Sequence, residues 1–233
     1  MKVLWRTVIP LATAVAFTGL FVSLGQWQMN RAAEKESLYA DFDQGIERAA
    51  AELGRYQPQP RYSRVRLSGQ YQDQGLLLDN QQLDGQVGAH VISLFQPAAG
   101  GPVLLVNRGW TPLARDRRTL PSVPPEPSGT VELEGVLTNL PRPGFQLGEV
   151  DYGSGEYPLV PYIDPARLQQ ALKKELAPQI LLATRPEEAS LRREWRPRVM
   201  GPDKHRGYAL QWFSLAAAVV VVTLLLTWRR LKQ

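Results

Sequence analysis

Two uncharged runs bracket the chain, and between them apolar positions alternate with polar ones. The first run, Val8 to Trp27, and the second, Ala209 to Trp228, each hold 20 residues without an Asp, Glu, Lys or Arg. A helix of that length rises about 30 Å, the thickness of the hydrocarbon core of a bilayer. Uncharged runs this long read as membrane spans rather than core helices. Pro10 falls in the first turn of the first span, where a missing N–H costs little. A cleaved signal peptide is the competing reading, because Lys2 and Arg6 form a basic start and Ala14-Val15-Ala16 resembles a cleavage site. The apolar run continues from Phe17 to Leu24 beyond that site, which favours an uncleaved anchor.

After Trp27 the composition turns to Glu, Lys, Ala, Gln and Arg, all good helix formers. The first helix is therefore expected to leave the membrane, break near Gly45 and end before Gly54. From Arg61 to Asn139 the pattern is that of strands. Val65 and Leu67 alternate with Arg64, Arg66 and Ser68; LLLDNQQL follows Gly75; and Val87, Ala89, Val91, Ser93 and Phe95 fall on one side of VGAHVISLF. VLLVNRGW follows a Gly100-Gly101-Pro102 turn, and TVELEGVLTN alternates again. Thr111 to Ser128 holds five prolines and reads as a surface loop. Asp164 and Pro165 open a helix that should run to Leu176, with Pro178 as its stop and QILLAT as a further strand. The 20 residues before the second span are basic and irregular. The pattern predicts an α+β fold: a transmembrane helix at each end, flanking a β-rich extracytoplasmic domain. The expected boundaries are 1–7 and 229–233 for the cytoplasmic tails, 8–27 and 208–228 for the spans, and 28–207 for the domain.

Charge sharpens this picture. The chain has 27 Lys and Arg against 22 Asp and Glu, a net of +5, which invites a nucleic-acid partner. All the acidic residues and 22 of the basic ones lie between Gln28 and Gly207, so that segment sums to zero. The excess is Lys2, Arg6, Arg229, Arg230 and Lys232, in the short flanks of the spans. Short basic flanks stay in the cytoplasm, so the charge is a topology signal and nucleic acid drops out. In a bacterial inner membrane both termini are then cytoplasmic and the domain periplasmic, with the bilayer itself as a partner. The chain has no cysteine, which excludes disulfides, Fe–S clusters, thiolate metal sites and covalent haem attachment. No nucleophile elbow, phosphate loop, zinc-protease helix or dinucleotide fingerprint occurs, so nothing here asks for an enzyme.

Several stretches together resemble the surfeit locus protein 1 family, assembly factors of cytochrome c oxidase. They are Leu24-Gly25-Gln26-Trp27-Gln28 with Arg31, Gly69-Gln70-Tyr71 followed by Leu76 to Leu78, and Gly88 to Phe95 leading into Val103 to Trp110. The last is His205-Arg206-Gly207-Tyr208 with Gln211, Trp212, Phe213, Leu215 and Ala216. The resemblance implies a helper in maturing a haem–copper oxidase, with the catalytic subunit as partner, haem a as the group delivered or retained, and haem a-synthesising enzymes as further contacts. It also implies haem binding at the histidine before the second span, which falls on His205. Arg206 stands where relatives often carry an apolar residue, which puts the local depth of the helix in question.

Read as residues, the same positions carry open alternatives. A neutral imidazole just outside the hydrocarbon suits a haem iron, with the propionates facing Lys204 and Arg206. His205 is equally an interfacial side chain among snorkelling cations. His205, Tyr208 and Trp212 share a helix face if the helix begins that early. Tyr208, Trp212 and Phe213 either shield a haem face or form an aromatic belt. His90, within a strand, reads as a structural residue. Arg108-Gly109-Trp110 ends a strand as either a partner-binding edge or a core cap with an ion pair. The basic run Arg192 to Arg198 reads as a solvated approach to the headgroups or, less simply, a docking site. A scaffold that binds the oxidase subunit without cofactor, and an extracytoplasmic sensor, are the other function classes.

Overall fold

The computed structural model describes residues 2–114, 119–141, 150–152, 155–197 and 199–232. It is an α+β protein with a mixed sheet and a long apolar helix at each end of the chain. It divides into a helical unit, Met1–Asp41 with Arg196–Gln233, and a barrel unit, Phe42–Trp195.

In the helical unit, α1 (Lys2–Glu47) and α3 (Pro202–Leu231) are each long and apolar enough to cross a bilayer. Because α1 starts at Lys2, Pro10 lies inside the helix rather than in its first turn. Such a residue removes one backbone donor, which spanning helices tolerate through local adjustment. Helix α3 begins early: Gly201 is the N-cap and Pro202 the first helical residue, so His205 is already helical. Buried small residues recur seven positions apart on both helices, at Gly25 and Ala32 and at Ala209 and Ala216. Side chains this small let helix backbones approach closely. Phe21 of α1 stacks on Trp212 of α3 with ring centroids 5.8 Å apart.

In the barrel unit, the strands are β1 (Ala51–Glu52), β2 (Arg64–Leu83), β3 (Gln86–Pro97), β4 (Val103–Pro112), β5 (Val131–Asn139), β6 (Leu159–Val160) and β7 (Leu176–Arg185). The order β2–β3–β4–β7–β5 closes on itself through β2–β5 pairing, which leaves no free edge in the ring. All ring pairings are antiparallel except β4–β7. Alternation sorts the side chains between two cores. Val65, Leu67, Phe95, Leu104, Val106, Leu133, Leu137 and Leu181 fill the interior from all five strands. Leu76, Ile92, Leu94, Val103, Leu105 and Ile180 face outward, covered by Ile163 and by Leu168 of α2 (Pro165–Leu172). The last residues of α1 belong to this unit: Phe42 meets Tyr62 edge-on at 5.1 Å, and Arg64 Nη1 donates to the Ile46 carbonyl at 2.7 Å.

Two elements differ from expectation. The stretches before and after Gly75 form one strand, β2, interrupted by bulges at Tyr71/Gly75 and Leu78/Gln81. Helix α2 stops at Leu172, where Lys173 takes a left-handed conformation, and Pro178 lies within β7 instead of ending the helix. Pro178 falls where the β4–β7 register shifts between Val103/Leu105, so its missing N–H interrupts no regular ladder. The expected proline loop includes residues 115–118, and the basic run ends at Arg198; these lie outside the described residues.

Candidate functional site

The helical unit brings together two segments 177 positions apart. His205 Nδ1, in the first turn of α3, lies 2.8 Å from Gln28 Oε1 of α1. Both residues sit where their helices pass from apolar to polar sequence, so the pair marks one level of the unit. His205 is half-buried, and among the described residues its Nε2 side makes no hydrogen bond. One imidazole with a ring nitrogen left without a hydrogen bond among the described residues, beside a long apolar surface, is a donor set that fits a haem iron.

The surrounding charges are already paired on the α1 side. Arg31 lies over Trp27 at 5.6 Å and bonds Glu34 at 2.7 Å. That hydrogen bond and the Arg31 charge hold the Glu34 carboxyl below the usual carboxylate range, and His205 adds a smaller pull in the same direction. Arg206 bonds Asp203 at 3.1 Å and also Glu36 of α1. Its hydrogen bonds, above all to Glu36, hold the guanidinium pKa above its ordinary value. A propionate approaching Arg206 meets two carboxylates already in place, whereas Lys204 is exposed. On the expected face, Trp212 packs on Phe21 while Tyr208 remains 48% exposed.

The barrel unit places the other candidates differently. Arg108 is fully buried, its Nη2 2.5 Å from Glu188 Oε2 and its Nη1 3.5 Å from Glu126. Burial is the largest single influence and works against its charge, but the hydrogen bond to Glu188 and the nearby charges, Glu188 and Glu126 among them, together outweigh it, and the Arg108 pKa is raised. Arg193 shares Glu188 at 2.8 Å, and there burial prevails and lowers the pKa. Ser93 Oγ donates to Glu126 at 2.8 Å, and the Tyr157 hydroxyl also bonds Glu126. Tyr71 closes the cluster, its ring 5.8 Å from the Arg108 guanidinium; burial pushes its hydroxyl pKa up. Arg108 sits at a bulge, because Val91 pairs with Gly109 and Ile92 with Asn107. Gly109 has φ +146°, and Trp110 is 2% exposed with Nε1 donating to the Gln81 carbonyl at 2.9 Å. All three residues are buried.

The basic run after β7 is also tied down. Arg192 bonds Asp84 at 2.5 Å, Arg193 Nε donates to the Arg108 carbonyl at 2.6 Å, and Trp195 Nε1 donates to Ala183 at 2.9 Å. Arg193 and Trp195 are thus tied to the barrel, while Arg192 and Glu194 remain exposed. His90 is half-buried with its ring edge-on to Trp195 at 5.8 Å. Among the described residues no cluster of three or more His, Cys, Asp or Glu could hold a metal ion.

Segments quoted for the family resemblance thus meet in pairs: Gln28 with His205, and Tyr71 with Arg108. The model of the SURF1 family matches residues 15–217, which takes in both meeting points. The chain belongs to the SURF1 family. It is 31% identical over 131 residues to a SURF1-like protein of Monosiga brevicollis, an alignment covering 49% of each chain. A SURF1-like protein of Rickettsia felis (strain ATCC VR-1525 / URRWXCal2) is 29% identical over 103 residues, or 43% of this chain and 45% of the relative. The chain spans about half the length of the curated relatives it matches. Within this SURF1-family chain, sequence reasoning singled out His205 but not its partner. The signal for Gln28 was its place just after the first uncharged run, as His205 stands shortly before the second. Glu126, Glu188 and Tyr157 gave no signal, since only the closed barrel brings them to Arg108.

Proposed function

We propose that this protein is a membrane-anchored assembly factor for a haem–copper cytochrome c oxidase, and that it holds haem a through His205 for insertion or retention in the catalytic subunit. Membership of the SURF1 family supports the assembly role. The observation that carries the haem reading is the His205–Gln28 pair, which joins the two apolar helices near the ends of their uncharged runs at a half-buried imidazole. A ligand there faces water on one side and apolar helix surface on the other, as an amphipathic macrocycle requires. Lys204 is the exposed cation beside it, and a charge-assisted hydrogen bond to a carboxylate contributes on the order of 1.5–3 kcal/mol. On this reading both termini are cytoplasmic and the barrel faces outward, in the bacterial periplasm.

Deletion followed by complementation tests the role. Cells lacking the protein should make the oxidase subunits yet show reduced oxidase activity and haem a content. The wild-type gene should restore both, and His205→Ala should restore neither fully. Unchanged oxidase activity in the deletion strain, under conditions that require the enzyme, would count decisively against the proposal.

A further inference from the structure

The hydrogen bond on His205 says more than where the imidazole lies. A neutral imidazole carries one proton, on Nδ1 or Nε2, and only the bare nitrogen can bind a metal. The atom facing Nδ1, 2.8 Å away, is the side-chain carbonyl oxygen of Gln28, which accepts and never donates. The pair is a hydrogen bond only if Nδ1 carries the proton. That leaves the lone pair on Nε2, which has no hydrogen-bond partner among the described residues. A histidine side chain free in water prefers the opposite arrangement, with the proton on Nε2. Gln28 is placed to reverse that preference before any ligand arrives.

We infer that Gln28 is a positioning residue: it fixes His205 in the Nδ1–H tautomer, turns Nε2 outward as the metal-binding nitrogen and enriches its electron density. The ligand role rests on the haem reading above; the tautomer does not. A hydrogen bond to the distal nitrogen of a ligating histidine sets ring orientation and basicity, and loss of such a partner typically lowers metal affinity about 10–100-fold. The bond also ties α3 to α1 across the level where both helices turn polar. The imidazole therefore depends on a residue of the other helix for its chemistry, not only for packing.

The chain has two histidines, so labelling with ¹⁵N-histidine gives two imidazole spin systems, with His90 as an internal control. Full-length haem-free protein in nanodiscs is examined by long-range ¹H–¹⁵N correlation in alkaline buffer. His205 should show a protonated Nδ1 and a bare Nε2. Gln28→Ala should move the population toward Nε2–H, and Gln28→Glu, which keeps an acceptor, should restore Nδ1–H. His90 signals should not change in either variant, which also reports that the barrel is folded. Titration with haem a should show weakening of about 10–100-fold for Gln28→Ala and recovery for Gln28→Glu. An Nε2–H tautomer in the wild-type protein, or a tautomer indifferent to Gln28→Ala, overturns the positioning role. Wild-type protein that takes up no haem overturns the reading on which the ligand role rests, whatever the tautomer.

Discussion

Replacing Arg108 by Met probes the buried ionic cluster without changing the volume of the site much. Arg108 is fully buried, and it bonds Glu188 through Nη2 at 2.5 Å and Nε at 3.1 Å while approaching Glu126 at 3.5 Å. Breaking a buried pair from one side costs about 3–5 kcal/mol, chiefly by leaving the other charge unpaired. Here Arg193 still holds Glu188 at 2.8 Å, and Ser93 and Tyr157 still bond Glu126, so the loss falls at the low end. About 3 kcal/mol is expected, which for a chain of this size corresponds to a drop in Tm of about 6–12 °C. The assay is near-ultraviolet circular dichroism of detergent-solubilised protein during heating. It is run on Arg108→Met, Glu188→Gln and the double variant. The double variant should lose less than the sum of the two singles, because the second change removes a group the first has already stranded. A stability change for Arg108→Met within about 0.5 kcal/mol of zero, or strict additivity, would refute the assignment of Arg108 as a buried ion-pair partner.

Three further outcomes follow from other parts of the molecule. Glu134 is held between Arg66 and Arg64, at 2.9 and 2.5 Å, and the Arg66 hydrogen bond leads in lowering its pKa against the opposing effect of burial. A carboxyl depressed on folding stabilises the fold above its unfolded pKa of about 4.3, and that contribution disappears as pH falls through the folded value. Acid titration of stability should therefore lose part of its slope below about pH 4.3 in Glu134→Gln, and an unchanged slope would contradict the pairing. Gly109 combines φ +146° with Leu191 Cβ only 2.8 Å from where its own Cβ would stand; Gly109→Ala should cost on the order of 1–3 kcal/mol in thermal unfolding, against none if the bulge relaxes freely. Reporter fusions after the C-terminus and near Ser128 should report cytoplasm and periplasm respectively, and an active alkaline phosphatase at the C-terminus would overturn the topology.

The long uncharged runs were legible because a span needs only length and absence of charge, both properties of composition. The strands of the barrel were legible where one face is polar, as in Val65 and Leu67 between Arg64 and Arg66. Where both faces are covered the strands were still legible as apolar runs, but the division between faces was not: Ile92, Leu94 and Leu105 serve the outer core while Phe95, Leu104 and Val106 serve the inner one. Pro178 misled because a proline after a helical pattern usually ends it, whereas Lys173 had already done so and the proline falls at a register shift. Arg108 showed its charge but not its burial, since the carboxylates that admit it come from distant segments, at Glu126 and Glu188. His205 stood out as a ligand-capable residue near a span. Gln28 did not, because a glutamine has no metal chemistry of its own and its importance lies in the atom it faces.

The proposed haem binding rests on His205, and an absorption spectrum tests it most directly. Protein purified from cells able to make haem a should show a low-spin or mixed spectrum, with Soret and α bands shifted from those of free haem. His205→Ala protein, still inserted and folded, should lose the shifted bands. Wild-type protein without haem, or a His205→Ala variant that keeps haem with an unaltered spectrum, would contradict the assignment.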